Sequence, residues 1–153
     1  MNRIGETWRS LTPYLRDILR IAAGFTFMAH GTMKLFAFPA GMGPHNMTVN
    51  LLSQFGLAGI LETFGGALMI LGLFTRPVAF LLSGEMAVAF FQVHFPRNFW
   101  PALSGGELAF VYCFLWLYLS AVGSGPLSLD AILKAKRKSA GLSSTSTQQQ
   151  VDA

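Results

Sequence analysis

Four apolar blocks alternate with short polar stretches along the chain, and each block is nearly long enough to cross a bilayer as a helix. The blocks are Ile18–Phe38, Phe55–Phe74, Val78–Phe95 and Glu107–Val122. At about 1.5 Å per residue, roughly 20 residues cross a hydrocarbon core about 30 Å thick. The pattern therefore predicts an all-α, polytopic membrane protein in which four transmembrane helices form an antiparallel bundle.

Each of these blocks contains ionisable residues that a lipid-facing helix does not tolerate. They are His30, Lys34, Glu62, Glu85 and Glu107. One charge near the bilayer centre costs about 2.5–3.5 kcal/mol on insertion scales, so such residues normally face the protein interior and find partners there. We therefore expect a small bundle with an internal polar site.

Composition agrees with a membrane protein and leaves no room for a separate soluble domain. The chain is 52% hydrophobic and 12% charged, against roughly 25% charged residues in ordinary soluble domains. We expect a cytoplasmic arm over residues 1–16, a membrane domain over 17–126, a basic amphipathic cytoplasmic segment over 127–138 and a disordered tail over 139–153. The net charge of +4 then reflects orientation in the lipid bilayer, and we expect no nucleic-acid partner.

The basic residues predict which side of the membrane the termini occupy. One side of the bundle holds nearly all of them: Arg3, Arg9, Arg16, Arg20, Arg76, Lys134, Lys136, Arg137 and Lys138. The other side has only Lys34 and Arg97. Cytoplasmic loops carry the excess of Lys and Arg, so we expect the N-terminus, the C-terminus and the Arg76 turn to be cytoplasmic.

A cleaved signal peptide is the competing interpretation of the N-terminal region. Its apolar stretch is typically 7–15 residues and ends at a small-residue cleavage site. Here about 17 residues precede an apolar block of about 20, and no such site follows it. We therefore interpret the first block as a transmembrane helix.

Helix rise places the polar residues relative to the bilayer midplane. His30, Glu62 and Glu85 fall within about 4 Å of it, while Lys34 and Glu107 lie about 9–11 Å toward the outer face. Together these residues predict a polar column that opens toward the long first external connection.

Two interpretations of Lys34 and Glu62 stay open. Small residues surround Glu62 in the sequence and allow close helix packing, so the carboxylate is either a structural partner of Lys34 or His30, or part of a ligand or proton site. Lys34 has the further option of extending to the outer interface. We predict that Lys34 and Glu62 face each other.

Glu85 and Glu107 invite different interpretations. Glu85 shares a helix face with Ala89 and Gln92, has no obvious cation at its own depth, and is expected to be protonated because burial without a partner disfavours the anion. Glu107 opens the fourth block, where a negative charge meets the positive end of a helix dipole. Glu107 is therefore either an interfacial cap or the outer end of the polar column.

Other chemistries have little support in the sequence. Cys113 is the single cysteine, which excludes an internal disulfide and favours a core position. His30 and His94 differ in depth by about 8 Å, which argues against axial haem ligation. The sequence shows no phosphate loop, nucleophile elbow or metal-ligand spacing, so we assign no catalytic residue and no metal site.

A series of short motifs runs from about Arg20 to Asp130. The motifs are Gly31-x-x-Lys34-Leu35, Glu62-x-x-Gly65-Gly66, Leu71-Gly72-Leu73-Phe74-Thr75-Arg76, Glu85-Met86-Ala87-Val88-Ala89 continuing to His94, Glu107-Leu108-Ala109, and Gly123-x-Gly125-Pro126-x-Ser128-Leu129-Asp130. In their order and spacing these motifs resemble the DoxX family of small bacterial membrane proteins. The resemblance implies a four-helix inner-membrane protein, and some relatives associate with quinone-linked or redox-defence oxidoreductase systems.

Two functional hypotheses follow, and the sequence leaves open whether the chain is an enzyme or a homo-oligomer. The first is a membrane subunit that binds a quinone or docks a redox-enzyme partner, with Glu62 and Glu85 carrying protons and Lys34 and His30 meeting a quinone carbonyl or an anionic substrate. The second is a non-enzymatic scaffold or assembly factor whose buried charges are structural. A passive solute pathway is a weaker third, because four helices enclose little pore.

Overall fold

The structure is a computed structural model that describes residues 3–42 and 45–139. These residues are helical and contain no β-strand, with one isolated antiparallel bridge between Met42 and Met47. The helices are α1 (Arg3–Phe36), α2 (Gln54–Leu71), α3 (Thr75–His94), α4 (Pro101–Ser104), α5 (Glu107–Val122) and α6 (residues 129–139). The all-α prediction is confirmed.

Within residues 3–42 and 45–139, only α2 and α3 are both long enough and apolar enough to cross a membrane by length and composition. The third candidate, α5, is apolar but has 16 residues. In α1, the apolar residues are interrupted by Arg20, His30 and Lys34. Two of the four predicted membrane helices are thus supported by their own composition.

Several helices begin or end at residues other than those predicted from the sequence. Helix α1 begins at Arg3 and not near Ile18, so the arm is a helical extension that hydropathy alone did not reveal. Helix α2 ends at Leu71 because Gly72 takes a left-handed conformation (φ +65°), and Leu73 N–H donates to Leu68 O. The predicted basic segment is helical over residues 129–139, and the predicted disordered tail lies outside the described residues from 140 onward.

Both membrane-length helices contain one wider turn. The backbone forms π-helical turns over Leu61–Gly65 in α2 and Phe90–His94 in α3. Such turns add a residue to the helix and are frequent at functional sites. The turn in α2 contains Glu62, so the chain departs from regular helix at a buried carboxylate.

Helices α1 and α2 approach each other closely at glycine. A Cβ added to Gly66 would lie 2.8 Å from Gly24 O, and one added to Gly59 would lie 2.9 Å from a Leu35 methyl. Small residues at such positions allow helix backbones to pack closely in lipid. The contact holds the end of α1 against the turn that contains Glu62.

Helices α3 and α5 form a second closely packed pair, and an aromatic cluster joins it to α1. The Phe27 ring lies 5.1 Å from the Tyr112 ring and 5.4 Å from the Trp116 ring, both in edge-to-face geometry. Contacts between α2 and α3 are sparser, which leaves space between these two helices.

Candidate functional site

Lys34 and Glu62 form an ion pair between α1 and α2. Lys34 lies in the last turn of α1, and its Nζ is 2.6 Å from both carboxylate oxygens of Glu62. The side chains are 15% and 5% exposed. The predicted contact between these residues is confirmed, and Lys34, not His30, is the partner of Glu62.

Glu85 lies near this pair but shares no hydrogen bond with it. Both of its carboxylate oxygens are buried and have no hydrogen-bond partner among the described residues. The carboxylate interacts electrostatically with Glu62 and Lys34. Burying a polar group without a partner is costly, so Glu85 is the least satisfied charged residue of the site. We call Lys34, Glu62 and Glu85 the cavity cluster.

The cavity cluster opens into a cavity of about 520 Å³ between α2 and α3. Its polar lining residues are Lys34, Gln54, Glu62 and Glu85, and its wall is otherwise apolar, with Phe55, Leu57, Leu61, Phe80, Leu81, Met86, Val88 and Val93 prominent. Pockets of about 300–1,000 Å³ with an apolar wall and a few convergent polar groups are typical of small-molecule sites.

The remaining predicted site residues lie outside this lining. His30 and Glu107 are exposed, and Glu107 occupies the first turn of α5. Gln92 is also exposed, and its side-chain oxygen accepts a hydrogen bond from Gln54, which does line the cavity. Of the predicted polar column, the cavity lining thus brings together Lys34, Glu62 and Glu85. His30 interacts electrostatically with Glu62 from outside the lining.

The residues considered for other chemistries make local contacts. His94 Nδ1 lies 3.2 Å from Ser104 O. Cys113 is partly buried and packs against the core, and its carbonyl accepts a hydrogen bond from Ser83. Among residues 3–42 and 45–139, no group of His, Cys, Asp and Glu forms a metal-binding cluster.

A second buried ion pair, which the sequence analysis did not identify, lies at the opposite end of the helices. Asp17 and Arg20 are completely buried, with Arg20 Nη2 3.0 Å from Asp17 Oδ1. We call this pair the end cluster. The available signal was an acid just before the first apolar block and a base three residues later inside it, because that spacing places both on one helix face.

The end cluster ties α1 to two distant segments. Arg20 Nη1 donates to Met69 O and Ile70 O in the last turn of α2, and Arg20 Nη2 donates to Leu127 O at 2.7 Å. Asp17 accepts from the backbone N–H groups of Gly125 and Leu127 at 3.0 and 2.8 Å. The guanidinium thus satisfies helix C-terminal carbonyls, where a cation is favourable.

Asp130 extends this connection to α3. Its carboxylate accepts hydrogen bonds from Phe74 N–H and Thr75 N–H, each at 2.9 Å, at the start of that helix. Partial burial opposes ionisation of Asp130, but the hydrogen bonds from Thr75 and Phe74 and the charge of Arg20 outweigh it and lower its pKa below the ordinary 3.8. Asp130 therefore acts as an N-terminal cap supplied by another helix.

Comparison with known proteins identifies a family. Residues 15–95 match the family model described as DoxX, a segment that contains the cavity cluster and the end cluster. An uncharacterized protein of Haemophilus influenzae is 44% identical over 124 residues, covering 77% of this chain and 90% of that protein. No solved structure matches the chain. The family match covers more than half of the chain, and the protein belongs to the DoxX family of membrane proteins.

Proposed function

We propose that the chain is a membrane subunit that binds a quinone-type ligand in the cavity between α2 and α3 and serves a redox-enzyme partner. The unpaired, buried carboxyl of Glu85 beside that cavity carries the proposal. A buried polar group without an internal hydrogen bond gains a partner when a ligand carbonyl or hydroxyl binds next to it.

The chemistry of the cavity wall suits a flat, lipid-soluble ring. Phe55 and Phe80 supply aromatic surface, while Leu57, Leu81 and Val88 are exposed at the opening. In a bilayer this opening faces lipid, so a ligand dissolved in the membrane reaches the cavity without crossing water. A quinone combines such an apolar ring with two carbonyl acceptors.

We assign each charged residue a part in this binding. A protonated Glu85 donates a hydrogen bond to one quinone oxygen and is positioned to exchange a proton with it. Lys34 presents positive charge to the same region, and Glu62 holds Lys34 in place through the 2.6 Å contacts. Reduction of a quinone to the quinol takes two electrons, which come from the partner subunit, and two protons, one from Glu85 and one from the Lys34–Glu62 pair.

The same proposal includes the topology. We propose that α1, α2, α3 and α5 cross the plasma membrane of the cell, with both termini cytoplasmic. The concentration of Arg16, Arg20, Arg76 and Lys134 at one end of the helices supports this orientation. Reporter fusions after Lys138 should be active in the cytoplasm, and fusions within residues 39–54 should be active outside; a periplasmic C-terminus would contradict four spans.

A non-enzymatic scaffold is the second candidate function, and the end cluster favours it. Both terminal nitrogens of Arg20 and both oxygens of Asp17 are engaged within the chain. Such a buried network fixes one arrangement of helices without any ligand. Under this hypothesis the cavity cluster is likewise structural.

Purification in mild detergent with quinone analysis separates the two candidates. Stoichiometric quinone in the wild-type protein, lost in Glu85→Leu, which removes the hydrogen-bond donor, and kept in Glu107→Leu, would support the quinone-binding subunit. Glu107 is the matched control because it is an exposed glutamate outside the cavity. Quinone-free protein that retains a stable protein partner would support the scaffold.

A further inference from the structure

A second cavity, of about 530 Å³, lies at the end of the helices where the chain turns from α2 into α3 and where α5 ends. Its charged lining residues are Arg16 of α1, Arg76 of α3, and Asp130 and Lys134 of α6. Four separate parts of the fold meet here, because the connection after α5 supplies Gly123, Ser124 and Gly125.

The charges that line this cavity are predominantly positive. Three cations and one acid give +3 − 1 = +2. Asp130 directs its oxygens to Phe74 N–H and Thr75 N–H, at the start of α3. The start of α3 therefore stabilises the negative charge of Asp130. Arg76 and Lys134 are exposed, so a ligand can reach both side chains.

One of the cations, Arg16, is held in place before any ligand arrives. Arg16 Nη1 donates to Val122 O at 3.2 Å and Nη2 to Ser124 O at 3.0 Å. Its Nε is buried without a hydrogen-bond partner among the described residues. Arg76 lies against Gly123, where an added Cβ would be 2.9 Å from Arg76 Nε. The end of α5 therefore sits between two guanidinium groups.

We propose that this cavity binds a phosphate group, carried either by an anionic membrane lipid or by a soluble phosphate. Planar guanidinium groups and a lysine ammonium are the side chains that recognise phosphate oxygens best. Basic pockets between transmembrane helices on the cytoplasmic side bind lipid headgroups, and this cavity lies beside the turn that connects the two membrane-length helices. The inference does not depend on a quinone in the other cavity.

Thermal unfolding of the full chain in phosphatidylcholine nanodiscs tests this site. One arm adds phosphatidylglycerol to the bilayer, and the other adds inorganic phosphate to the buffer. The test variant is Arg76→Gln/Lys134→Gln, in which both changes are at exposed positions. The matched control, Lys136→Gln/Lys138→Gln, removes the same charge from exposed positions of α6 outside the cavity.

Phosphatidylglycerol should raise the unfolding midpoint of the wild type and of the control. The test variant should need at least about tenfold more phosphatidylglycerol for the same shift in the unfolding midpoint, because the loss of two cations weakens the attraction of the anionic lipid. If inorganic phosphate gives the variant-dependent shift and the lipid does not, the site stands with a soluble carrier. Equal responses of the test variant and the control, or no response of the wild type in either arm, would overturn the proposal.

Discussion

The end cluster and the cavity cluster both bury charges against α1, but they satisfy those charges differently. In the end cluster, Asp17 and Arg20 engage each other and backbone groups from two other segments. In the cavity cluster, Lys34 and Glu62 pair while Glu85 has no hydrogen-bond partner among the described residues. Apart from Arg20 Nε, which has no hydrogen-bond partner among the described residues, the end cluster satisfies its charged groups within the chain, whereas neither carboxyl oxygen of Glu85 is satisfied.

The difference indicates separate roles for the two ends of α1. Removing one partner from a satisfied buried pair leaves an uncompensated charge, so the end cluster fixes the helix arrangement. A buried carboxyl without a partner adds nothing to stability by itself. Its position beside an apolar cavity of ligand size is what gives it a function under our proposal.

Arg20→Met should cause the largest loss of stability. The substitution strands the Asp17 carboxylate and leaves Met69 O, Ile70 O and Leu127 O without their donor. We expect a loss of about 3–5 kcal/mol, measured by denaturant unfolding in detergent. Arg9→Met, at an exposed position of the same helix, is the control. A loss no greater than that of the control would show that the end cluster is not a structural tie.

Lys34→Met should be the next most damaging change, at about 3 kcal/mol, because Glu62 is then buried without its cation. Glu62→Gln should also destabilise, and the double variant should recover part of the summed loss. A double-mutant cycle from unfolding curves measures the coupling. Strict additivity of the two substitutions would mean that the ion pair contributes nothing.

Gly66→Ala should weaken the packing that holds Lys34 near Glu62. The new methyl group would approach Gly24 O and the Met28 backbone and Cβ to 2.8 Å, a cost of about 1–3 kcal/mol. Gly84→Ala is the matched control, since nothing lies within 4 Å of a Cβ there. Equal unfolding midpoints for these two variants would indicate that α1 and α2 tolerate separation.

Asp130→Ala should have a smaller effect, about 1 kcal/mol, typical of a lost helix cap. Because the pKa of Asp130 is lowered in the folded state, its contribution is present above the ordinary value of 3.8 and is lost as pH falls through the folded value. The difference between wild type and variant should therefore shrink below about pH 3.8, the unfolded-state pKa. A difference that is constant across this range, in unfolding midpoints measured against pH, would rule out the ionised cap.

The sequence predicted the cavity pair because local rules were sufficient. Helix rise placed Lys34 about one to two helical turns farther out than Glu62, a gap that two long side chains can bridge, and consecutive helices in a bundle run antiparallel. Those two facts, with the need of each buried charge for a partner, predicted the contact. The same rules did not predict the close contact between Gly24 and Gly66, because that contact depends on the angle at which the two helices cross.

The end cluster escaped prediction because its partners are far away in the chain. Asp17 binds backbone N–H groups of Gly125 and Leu127, more than 100 residues later. Hydropathy identifies Arg20 only as a charge that orients the first helix. The backbone groups that bind Asp17 and Arg20 belong to a connection, and the sequence does not show where such groups lie. Similarly, His30 and Glu107 have suitable depths but point outward, since depth does not determine which side of a helix is buried.

Glu85→Gln should change stability least, because glutamine keeps the size of the side chain and Glu85 forms no internal hydrogen bond with described residues. Its effect should appear in ligand chemistry. Infrared difference spectroscopy at neutral pH observes this directly. The wild type should show a protonated carboxyl band that shifts when a quinone is added, that is absent in Glu85→Gln and that persists in Glu107→Gln. An ionised Glu85, or a band that quinone leaves unchanged, would contradict the assignment of this cavity as a quinone site.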